Sequence, residues 1–213
     1  MIAIAGGKGG CGKTTTTVAV ARSFVTETTT PVIGVEGDWD MPDLYALART
    51  APLKSVPVHS VSVDVLNGRR PLAGFTVLEA PSGADRAERR QVFERIQRLD
   101  HGRSPRMVID CPAGAGRDAA VPIDIATHVL LVSTAEPDSL RDTAKTAAMA
   151  TELDTPIIGA VLTGTDRIPE GTRQLLGTDW IIPIPDAGEP LRAPEVGRAY
   201  RRVVDGLESV NVG

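Results

Sequence analysis

The sequence predicts an α/β protein with a mostly parallel central sheet and helices on both faces. Short apolar runs alternate with longer stretches of helical periodicity, which is the order that parallel strands and crossover helices produce. Most of the apolar runs are too apolar for a half-exposed antiparallel sheet, so we expect both faces of the sheet to be covered. The chain has 213 residues, 42% of them hydrophobic, enough for one core, and we expect residues 1–213 to form a single domain.

The predicted elements alternate along the chain. The candidate strands are residues 2–5, 32–35, 75–78, 107–109, 128–132, 157–162 and 180–184. The candidate helices are residues 14–25, 84–99, 139–153 and 195–207, with weaker signals near Leu44 and Gln174. Residues 50–72, rich in Val, Ser and Pro, form the least regular segment, and we expect no chemistry there.

Composition excludes several classes of protein. The net charge of −4 gives no overall positive field for nucleic acid or an anionic membrane, so any such contact must be local. No apolar run approaches the ~20 residues of a membrane-spanning helix, and the first strand leaves no room for a cleavable signal, so we expect a cytoplasmic protein. Two cysteines, Cys11 and Cys111, are too few for a disulfide scaffold or a zinc site of two cysteine pairs.

A glycine-rich segment between the first strand and the first helix indicates the chemistry. Gly7, Gly12, Lys13 and Thr14 match the phosphate-binding pattern G-x-x-x-x-G-K-S/T. Lys13 is expected to reach the β- and γ-phosphates, and Thr14 to offer its hydroxyl to Mg²⁺. The sequence therefore predicts a P-loop nucleotide hydrolase that binds MgATP. The residues of this segment expected to bind the nucleotide are Gly7, Lys8, Gly9, Gly10, Cys11, Gly12, Lys13, Thr14 and Thr15.

A second lysine inside the loop points to a family. The run K-G-G-C-G-K-T-T, which begins at Lys8, resembles the deviant Walker A loop of the MinD/ParA ATPases, and archaeal MinD-like proteins most closely. The resemblance implies a single P-loop domain and a catalytic role for Lys8, which would reach the nucleotide held by the other subunit of a dimer. On physical grounds alone, a solvated loop lysine is the alternative for Lys8.

An acidic segment after the second strand resembles the first switch segment of that family. Residues 36–44 read E-G-D-W-D-M-P-D-L, and Glu36 and Asp43 stand where the family usually has Asp and Asn. The resemblance implies that Asp38 orients the attacking water and contributes to the Mg²⁺ site. Asp40 is a second candidate for the catalytic role, and a solvated acidic loop is the alternative for both.

The fourth candidate strand ends in an acid and is followed by a tight turn. Asp110 after this apolar strand has the form of a Walker B motif and is expected to hold the Mg²⁺ shell. Residues 110–118 resemble archaeal MinD-type sequences, which implies that Pro112 and Gly114 lie beside the nucleotide and that the backbone near Gly114 senses the γ-phosphate. A strand-end cap is the alternative for Asp110.

The adenine contacts are the least determined part of the site. The family usually has an Asn after its sixth strand, and this sequence has none there. The expected base contacts are therefore Thr163, Pro185 and Asp186, although strand-end Pro and Thr are also common turn residues. Residues 133–142 resemble the family segment that bears on the dimer partner, and an ordinary helix start explains them equally well.

The resemblance implies a homodimer that forms with ATP and separates after hydrolysis. Such a switch would position a division site, a chromosome or another cargo through an unidentified activating or cargo protein, on a membrane or nucleoid surface. The chain end lacks bulky and basic residues, so a core helix is favoured over a membrane-binding one. Its apolar face is Tyr200, Val203, Val204, Leu207 and Val210. A solvated helix face is favoured over DNA contact for one helix, because acids interleave with its arginines, Arg86, Arg89, Arg90, Arg95 and Arg98.

Two other functions use a similar loop. A P-loop phosphoryl transferase or ligase would need a substrate pocket, and the three histidines His59, His101 and His128 are isolated from one another. A metal or iron–sulfur delivery ATPase would carry ligand thiols as C-x-C or C-x-x-C, and neither motif occurs.

Overall fold

Eight strands and seven helices make up the described part of the chain. The computed structural model describes residues 1–28, 30–50, 56–62, 74–80, 86–99 and 106–209. The strands are β1 (Ile2–Ala5), β2 (Val32–Glu36), β3 (Val58–Ser62), β4 (Phe75–Glu79), β5 (Arg106–Asp110), β6 (His128–Thr134), β7 (Ile157–Thr163) and β8 (Ile181–Pro183). The helices are α1 (Lys13–Thr28), α2 (Leu44–Thr50), α3 (Arg86–Leu99), α4 (Arg117–Ile125), α5 (Pro137–Glu152), α6 (Thr172–Leu176) and α7 (Pro194–Ser209).

The strands form one sheet in the order β3-β4-β2-β5-β1-β6-β7-β8, and every strand pair is parallel. This confirms the predicted α/β class and the parallel sheet. The chain crosses from one side of β1 to the other between β5 and β6, so β1 lies at a topological switch point. Ligands of open α/β sheets bind outside the carboxyl ends of the strands at such a point. The loops after β1, β2 and β5 meet there.

The sheet separates two hydrophobic cores. Successive side chains of a strand point to opposite faces, and in β1 Ile2 and Ile4 enter one core while Ala3 and Ala5 enter the other. Helices α1, α2 and α7 cover the first face, and α3, α4, α5 and α6 cover the second. The prediction of helices on both faces is therefore confirmed.

Two elements were missed by the sequence prediction. Strand β3 lies at the edge of the sheet, where its V-H-S-V-S sequence is half-exposed, and it falls within residues 50–72, for which no element was expected. The second is helix α4, which contains Pro122, a residue that disfavours a helix interior. The helix has only nine residues, and the missing N–H of Pro122 removes the one bond that would run to the carbonyl of Asp118.

The last helix is a core element. Tyr200, Val203, Val204 and Leu207 of α7 are at most 1% exposed, and the Tyr200 hydroxyl hydrogen-bonds to Thr16 Oγ1 at 2.9 Å. This agrees with the preference for a core helix, while Val210 lies outside the described residues. No helix in the described part of the chain is long and apolar enough to cross a membrane.

The arginines of α3 differ in environment. Arg90 is exposed and pairs with Glu94 and Asp124, both at 3.3 Å. Arg89 is 7% exposed, so the expectation of a solvated face is wrong for this residue. It lies under the loop that follows β2, and helix periodicity alone could not reveal that loop's path. Residues 84 and 85, where the helix was expected to begin, and the side chain of Arg86 lie outside the description.

Candidate functional site

The glycine-rich loop joins β1 directly to α1. Gly10 and Gly12 have φ values of 76° and 93°, a backbone conformation in which a side chain is strained. Helix α1 begins at Lys13, and its first backbone bond runs from Thr16 N to Gly12 O at 2.8 Å. The free N–H groups of the first turn therefore face the loop, at the positive end of a 16-residue helix. Such a helix start is an anion-binding site.

The first glycines of the loop are required for packing. A Cβ atom on Gly7 would overlap the backbone of Asp142 and Thr143 in α5, and one on Gly6 would overlap the carbonyl of Val132 in β6. Gly7 N donates a hydrogen bond to Thr143 Oγ1 at 3.3 Å. The sequence pattern assigned Gly7 to the phosphate site, and the structure adds that it seats the loop on α5.

The two loop lysines have different environments. Lys13 is 8% exposed, and its Nζ donates to the carbonyl oxygen of Lys8 at 3.2 Å. The Lys8 side chain is 49% exposed, and its Nζ lies 3.6 Å from Glu136 Oε2, just before α5. Lys13 therefore belongs to the interior of the loop, whereas Lys8 stands on the outer surface.

Asp110 ends β5 beside the start of α1. It is 1% exposed, and its carboxylate accepts hydrogen bonds from the side chains of Thr14 and Thr17, with Thr17 Oγ1 at 3.0 Å from Oδ1. Burial raises the pKa of Asp110 to about 7, against the lowering effect of these hydrogen bonds and of Lys13. Thr14 and Asp110, two of the three residues predicted to hold Mg²⁺, are thus in contact.

The donor set around Asp110 suits magnesium. Mg²⁺ prefers oxygen ligands and is usually held by one or two carboxylates together with substrate phosphates and water. A hydroxyl and a carboxylate beside a phosphate loop fit that description. The described residues contain no group of three His, Cys, Asp or Glu that could hold a metal by itself.

Glu36 is a site residue whose role the sequence did not predict. It ends β2 opposite Asp110 of β5, and it is 3% exposed. Its carboxylate accepts backbone hydrogen bonds from Asp38 N at 3.1 Å and Leu44 N at 2.9 Å, so it folds the following loop and caps α2. Burial, with Asp110 nearby, raises the pKa of Glu36 to about 8. The one sequence feature that could have indicated a special role for this residue is that Glu36 stands where the family usually has Asp.

The two candidate catalytic acids after β2 point to different neighbours. Asp38 is half-buried, and its Oδ1 accepts a hydrogen bond from Met41 N at 3.3 Å. The preceding residue, Gly37, donates its N–H to Asp110 O at 2.9 Å, which places Asp38 near the loop that follows β5. Asp40 is exposed and lies 3.5 Å from Arg89 of α3.

Backbone hydrogen bonds join the loops after β1, β2 and β5. Gly114, with a φ of 87°, donates to Gly6 O at 3.0 Å. Gly37 N donates to Asp110 O at 2.9 Å, and Cys111 N donates to Ile4 O at 3.1 Å. Pro112, predicted to lie beside the nucleotide, is buried between these bonds. The loop predicted to sense the γ-phosphate is therefore tied to the phosphate loop through main-chain atoms.

The predicted adenine residues lie at the same edge of the sheet. Thr163 Oγ1 donates to Cys11 O at 2.7 Å, so the end of β7 supports the phosphate loop. Thr165 N donates to Ile184 O at 2.9 Å, which brings the segment with Pro185 and Asp186 beside the end of β7. A groove of about 310 Å³ lies next to Thr15, between α2 and residues 189–192.

Both thiols are buried structural groups. Cys11 is 1% exposed with its Sγ 3.4 Å from Val132 O, and Cys111 is 1% exposed with its Sγ 3.9 Å from Ile109 O. Burial raises the pKa of both thiols. Because metal ligation and nucleophilic attack use the thiolate, neither thiol is prepared for that chemistry.

Comparisons with known proteins agree with this geometry. Residues 2–178 match the family described as the CobQ/CobB/MinD/ParA nucleotide binding domain. An uncharacterized ATP-binding protein of Methanocaldococcus jannaschii is 29% identical over 210 residues, covering 93% of this chain and 76% of that protein. The cell division ATPase MinD of Pyrococcus furiosus has a TM-score of 0.76 at 24% identity, with 98% of each chain covered. Cobyrinic acid a,c-diamide synthase of Mycobacterium smegmatis, solved with an ATP analog and magnesium, has a TM-score of 0.66 at 24% identity, covering 97% of this chain and 93% of that chain.

Proposed function

Because the chain belongs to the CobQ/CobB/MinD/ParA family of nucleotide-binding domains, we propose that it is an ATPase that dimerises on MgATP and separates after hydrolysis. The phosphate loop, the helix start behind it and Lys13 would bind the phosphates. Thr14 and Asp110, with Asp38 close by, would hold Mg²⁺. The magnesium and ATP analog bound to the structurally similar diamide synthase support this choice of ligands.

The observation that carries the proposal is the position of Lys8. The phosphate loop already has a buried lysine, Lys13, whose Nζ bonds to a carbonyl within the loop. Lys8 is half-exposed and makes a 3.6 Å ion pair with Glu136, whose side chain is 70% exposed. Exposed ion pairs of this kind contribute about 0–1 kcal/mol, so the cation can leave Glu136 at little cost. A phosphate of a second subunit would be a stronger partner, because closure would exclude water from the contact.

Hydrolysis would depend on the loop after β2. Asp38 would orient the attacking water, and Lys8 and Lys13 would neutralise the charge that develops on the phosphate oxygens. The backbone of Gly114 would report the γ-phosphate through its bond to Gly6. Loss of that phosphate would then loosen the interface and release the subunits, which is the property of a switch with slow turnover.

The cellular role of the ATP-dependent dimer is proposed from its family. We propose that the ATP-bound dimer positions a cargo or division component through a protein partner in the cytoplasm, and at a membrane or nucleoid surface when ATP is bound. The buried face of α7 and the ion pairs of Arg90 give no support for a membrane or DNA surface within the described residues.

The test is the size of the protein with nucleotide. Wild type, Lys8→Ala and Lys145→Ala would be measured by light scattering with ADP and with a non-hydrolysable ATP analogue. Lys145 is a matched control, since it is an exposed lysine that pairs with Asp142 at 2.8 Å. We expect the analogue to dimerise wild type and Lys145→Ala but not Lys8→Ala, which should still bind the analogue as a monomer. A Lys8→Ala variant that dimerises like wild type contradicts the trans role of this lysine.

The same measurement separates the switch from a self-contained enzyme. If wild type stays monomeric with every nucleotide, a phosphoryl transferase or ligase with its own small substrate becomes the better proposal. Delivery of a metal or iron–sulfur cluster is disfavoured by the raised pKa values of the two buried thiols, and the metal content of the purified protein tests it directly.

A further inference from the structure

A buried arginine connects two loops of the site. Arg89 of α3 is 7% exposed. Its Nη2 lies 3.5 Å from Asp40 Oδ1, and its Nη1 lies 3.4 Å from Asp118 Oδ1. Its guanidinium group also stacks over the Trp39 ring, 5.0 Å from the centroid, and that ring stacks on Phe93 at 5.7 Å. One cation therefore has two carboxylates and an aromatic face as partners.

These partners come from different segments. Trp39 and Asp40 belong to residues 37–43, the loop after β2, which we call loop A. Asp118 is in the first turn of α4, directly after residues 111–116, the loop after β5, which we call loop B. Both loops have backbone bonds to the ends of the central strands, through Gly37 to Asp110 and through Gly114 to Gly6. Arg89 is thus a second, side-chain link between segments that already meet at the phosphate loop.

The link is sensitive to the relative position of the loops. A guanidinium removed from water needs compensating charges, and loss of one partner of a buried ion pair is costly. Two buried atoms of Arg89, Nε and Nη1, form no hydrogen bond, although Nη1 lies within ion-pair distance of Asp118. Both ion pairs are longer than the 2.7–2.9 Å of a well-formed charge-assisted bond. A small approach of both loops to Arg89 would therefore strengthen both pairs, and a movement of either loop away from it would weaken one of them.

Other features fix the orientation of loop A. The Trp39 indole N–H donates to Glu36 O at 2.9 Å, so the ring that covers Arg89 is held to the end of β2. Asp38 lies between Gly37 and Trp39 in the chain, so its backbone position follows theirs. The position of the Asp38 carboxylate is therefore set in part by the contact between Trp39 and Arg89.

We propose that Arg89 is a positioning residue for ATP hydrolysis, which holds loop A against loop B so that Asp38 is correctly oriented when the γ-phosphate orders loop B. This inference rests on the proposed ATPase function. Arg89 acts through Trp39, Asp40 and Asp118 and does not touch the nucleotide. Its loss should therefore reduce the rate of the chemical step much more than the affinity for ATP, because misplacement of a reacting group reduces the population of reactive geometries.

The experiment compares two arginines on the same helix. Arg89→Met keeps the length of the side chain and removes its charge, and Arg89→Lys keeps the charge without the planar fork. Arg90→Met is the control, since Arg90 is exposed and pairs with Glu94 and Asp124. For each protein, kcat and KM for ATP are measured, with the affinity for a non-hydrolysable analogue. Trp39 fluorescence is followed during analogue binding, and Trp39→Phe identifies its signal among the 2 tryptophans.

We expect Arg89→Met to lower kcat by about 10- to 100-fold, while the affinity for the analogue changes less than about twofold. The analogue-dependent change in Trp39 emission should be lost, Arg89→Lys should recover part of the rate, and Arg90→Met should behave like wild type. A folded Arg89→Met with wild-type kcat overturns the inference. An equal loss of rate and analogue affinity also overturns it, because that is the result of general disruption.

If Arg89→Met folds poorly, a second pair of variants tests the same inference. Asp40→Asn and Asp118→Asn each remove one charge from the cluster at positions that are 75% and 31% exposed. If Arg89 couples the loops, the effects of the two single substitutions on kcat should not add up to the effect of the double variant. Additive effects overturn the inference. A wild type without any ATP turnover overturns the proposed ATPase and this inference together, whereas an active wild type with additive variants overturns the coupling alone.

Discussion

The raised pKa of Glu36 should make the stability of the protein depend on pH in an unusual direction. In the folded chain the pKa of this carboxyl is about 8, and its ordinary value is 4.5. Between these pH values the folded chain keeps a proton that the unfolded chain releases. Unfolding is then favoured by alkali, so the contribution of Glu36 to stability is present below pH 4.5 and is lost as pH rises toward 8.

The size of the effect follows from the shift. One pKa unit corresponds to about 1.4 kcal/mol. Raising the pH from about 4.5 to about 7.5 should therefore lower the free energy of unfolding by about 3–4 kcal/mol through this one group. This is a large part of the total stability of an ordinary domain.

Glu36→Gln isolates the contribution, because glutamine resembles the neutral acid and does not titrate. We would measure urea unfolding of both proteins, in the presence of a chelator, at several pH values. The variant should gain stability relative to wild type by the stated amount as pH rises. Asp110, whose pKa is raised to about 7, titrates in both proteins and cancels to first order in the difference. Glu79→Gln, at an exposed strand end nearby, is the control. If the difference between wild type and Glu36→Gln is independent of pH, Glu36 is ionised in the folded state and the reasoning is wrong.

Three further predictions concern the phosphate loop, the loop after β2, and the contact between α1 and α7. Lys13→Ala should abolish nucleotide binding in calorimetry, because Lys13 is the buried cation of the loop; wild-type affinity in this variant would exclude the site. Asp38→Ala should keep its affinity for ATP but hydrolyse it more slowly, because a water-orienting group acts mainly in the transition state; unchanged turnover would transfer the role to Asp40 or another group. Tyr200→Phe should lower the free energy of unfolding by about 1–2 kcal/mol, because it leaves the buried Thr16 hydroxyl without its 2.9 Å partner. Urea unfolding measures this change, and an unchanged stability would count against that bond.

The sequence was most informative where function depends on local pattern. A phosphate loop needs glycines, a lysine and a hydroxyl at fixed spacing between a strand and a helix, and residues 7–14 have all of them. Asp110 was recognisable because an acid directly after an apolar strand must emerge at the carboxyl edge of the sheet. The roles of these residues stay predictions, and the structure places Asp110 in contact with Thr14 and Thr17 at the start of α1.

The environment of Glu36 and Arg89 could not be obtained in the same way. Burial of Glu36 depends on the pairing of β2 with β5, which sets it opposite Asp110, and sequence alone does not give strand order. Arg89 lies on a helix rich in alternating charges, a pattern typical of a solvent-facing helix. Its burial results from Trp39 in a loop that is distant in sequence. The half-exposed strand β3 was missed because an edge strand needs no continuous apolar run.

The bond between Lys13 Nζ and the carbonyl of Lys8 has a thermodynamic consequence. In the folded loop the ammonium group is shielded from solvent and has an acceptor supplied by the loop itself. Binding of a phosphate is therefore an exchange of one acceptor for another, and the loss of hydration of the lysine is largely completed during folding. The heat of binding attributable to this lysine should be correspondingly modest. The selectivity of the loop for phosphate over water then depends mainly on the charge of the incoming anion and on how little the backbone must rearrange to receive it.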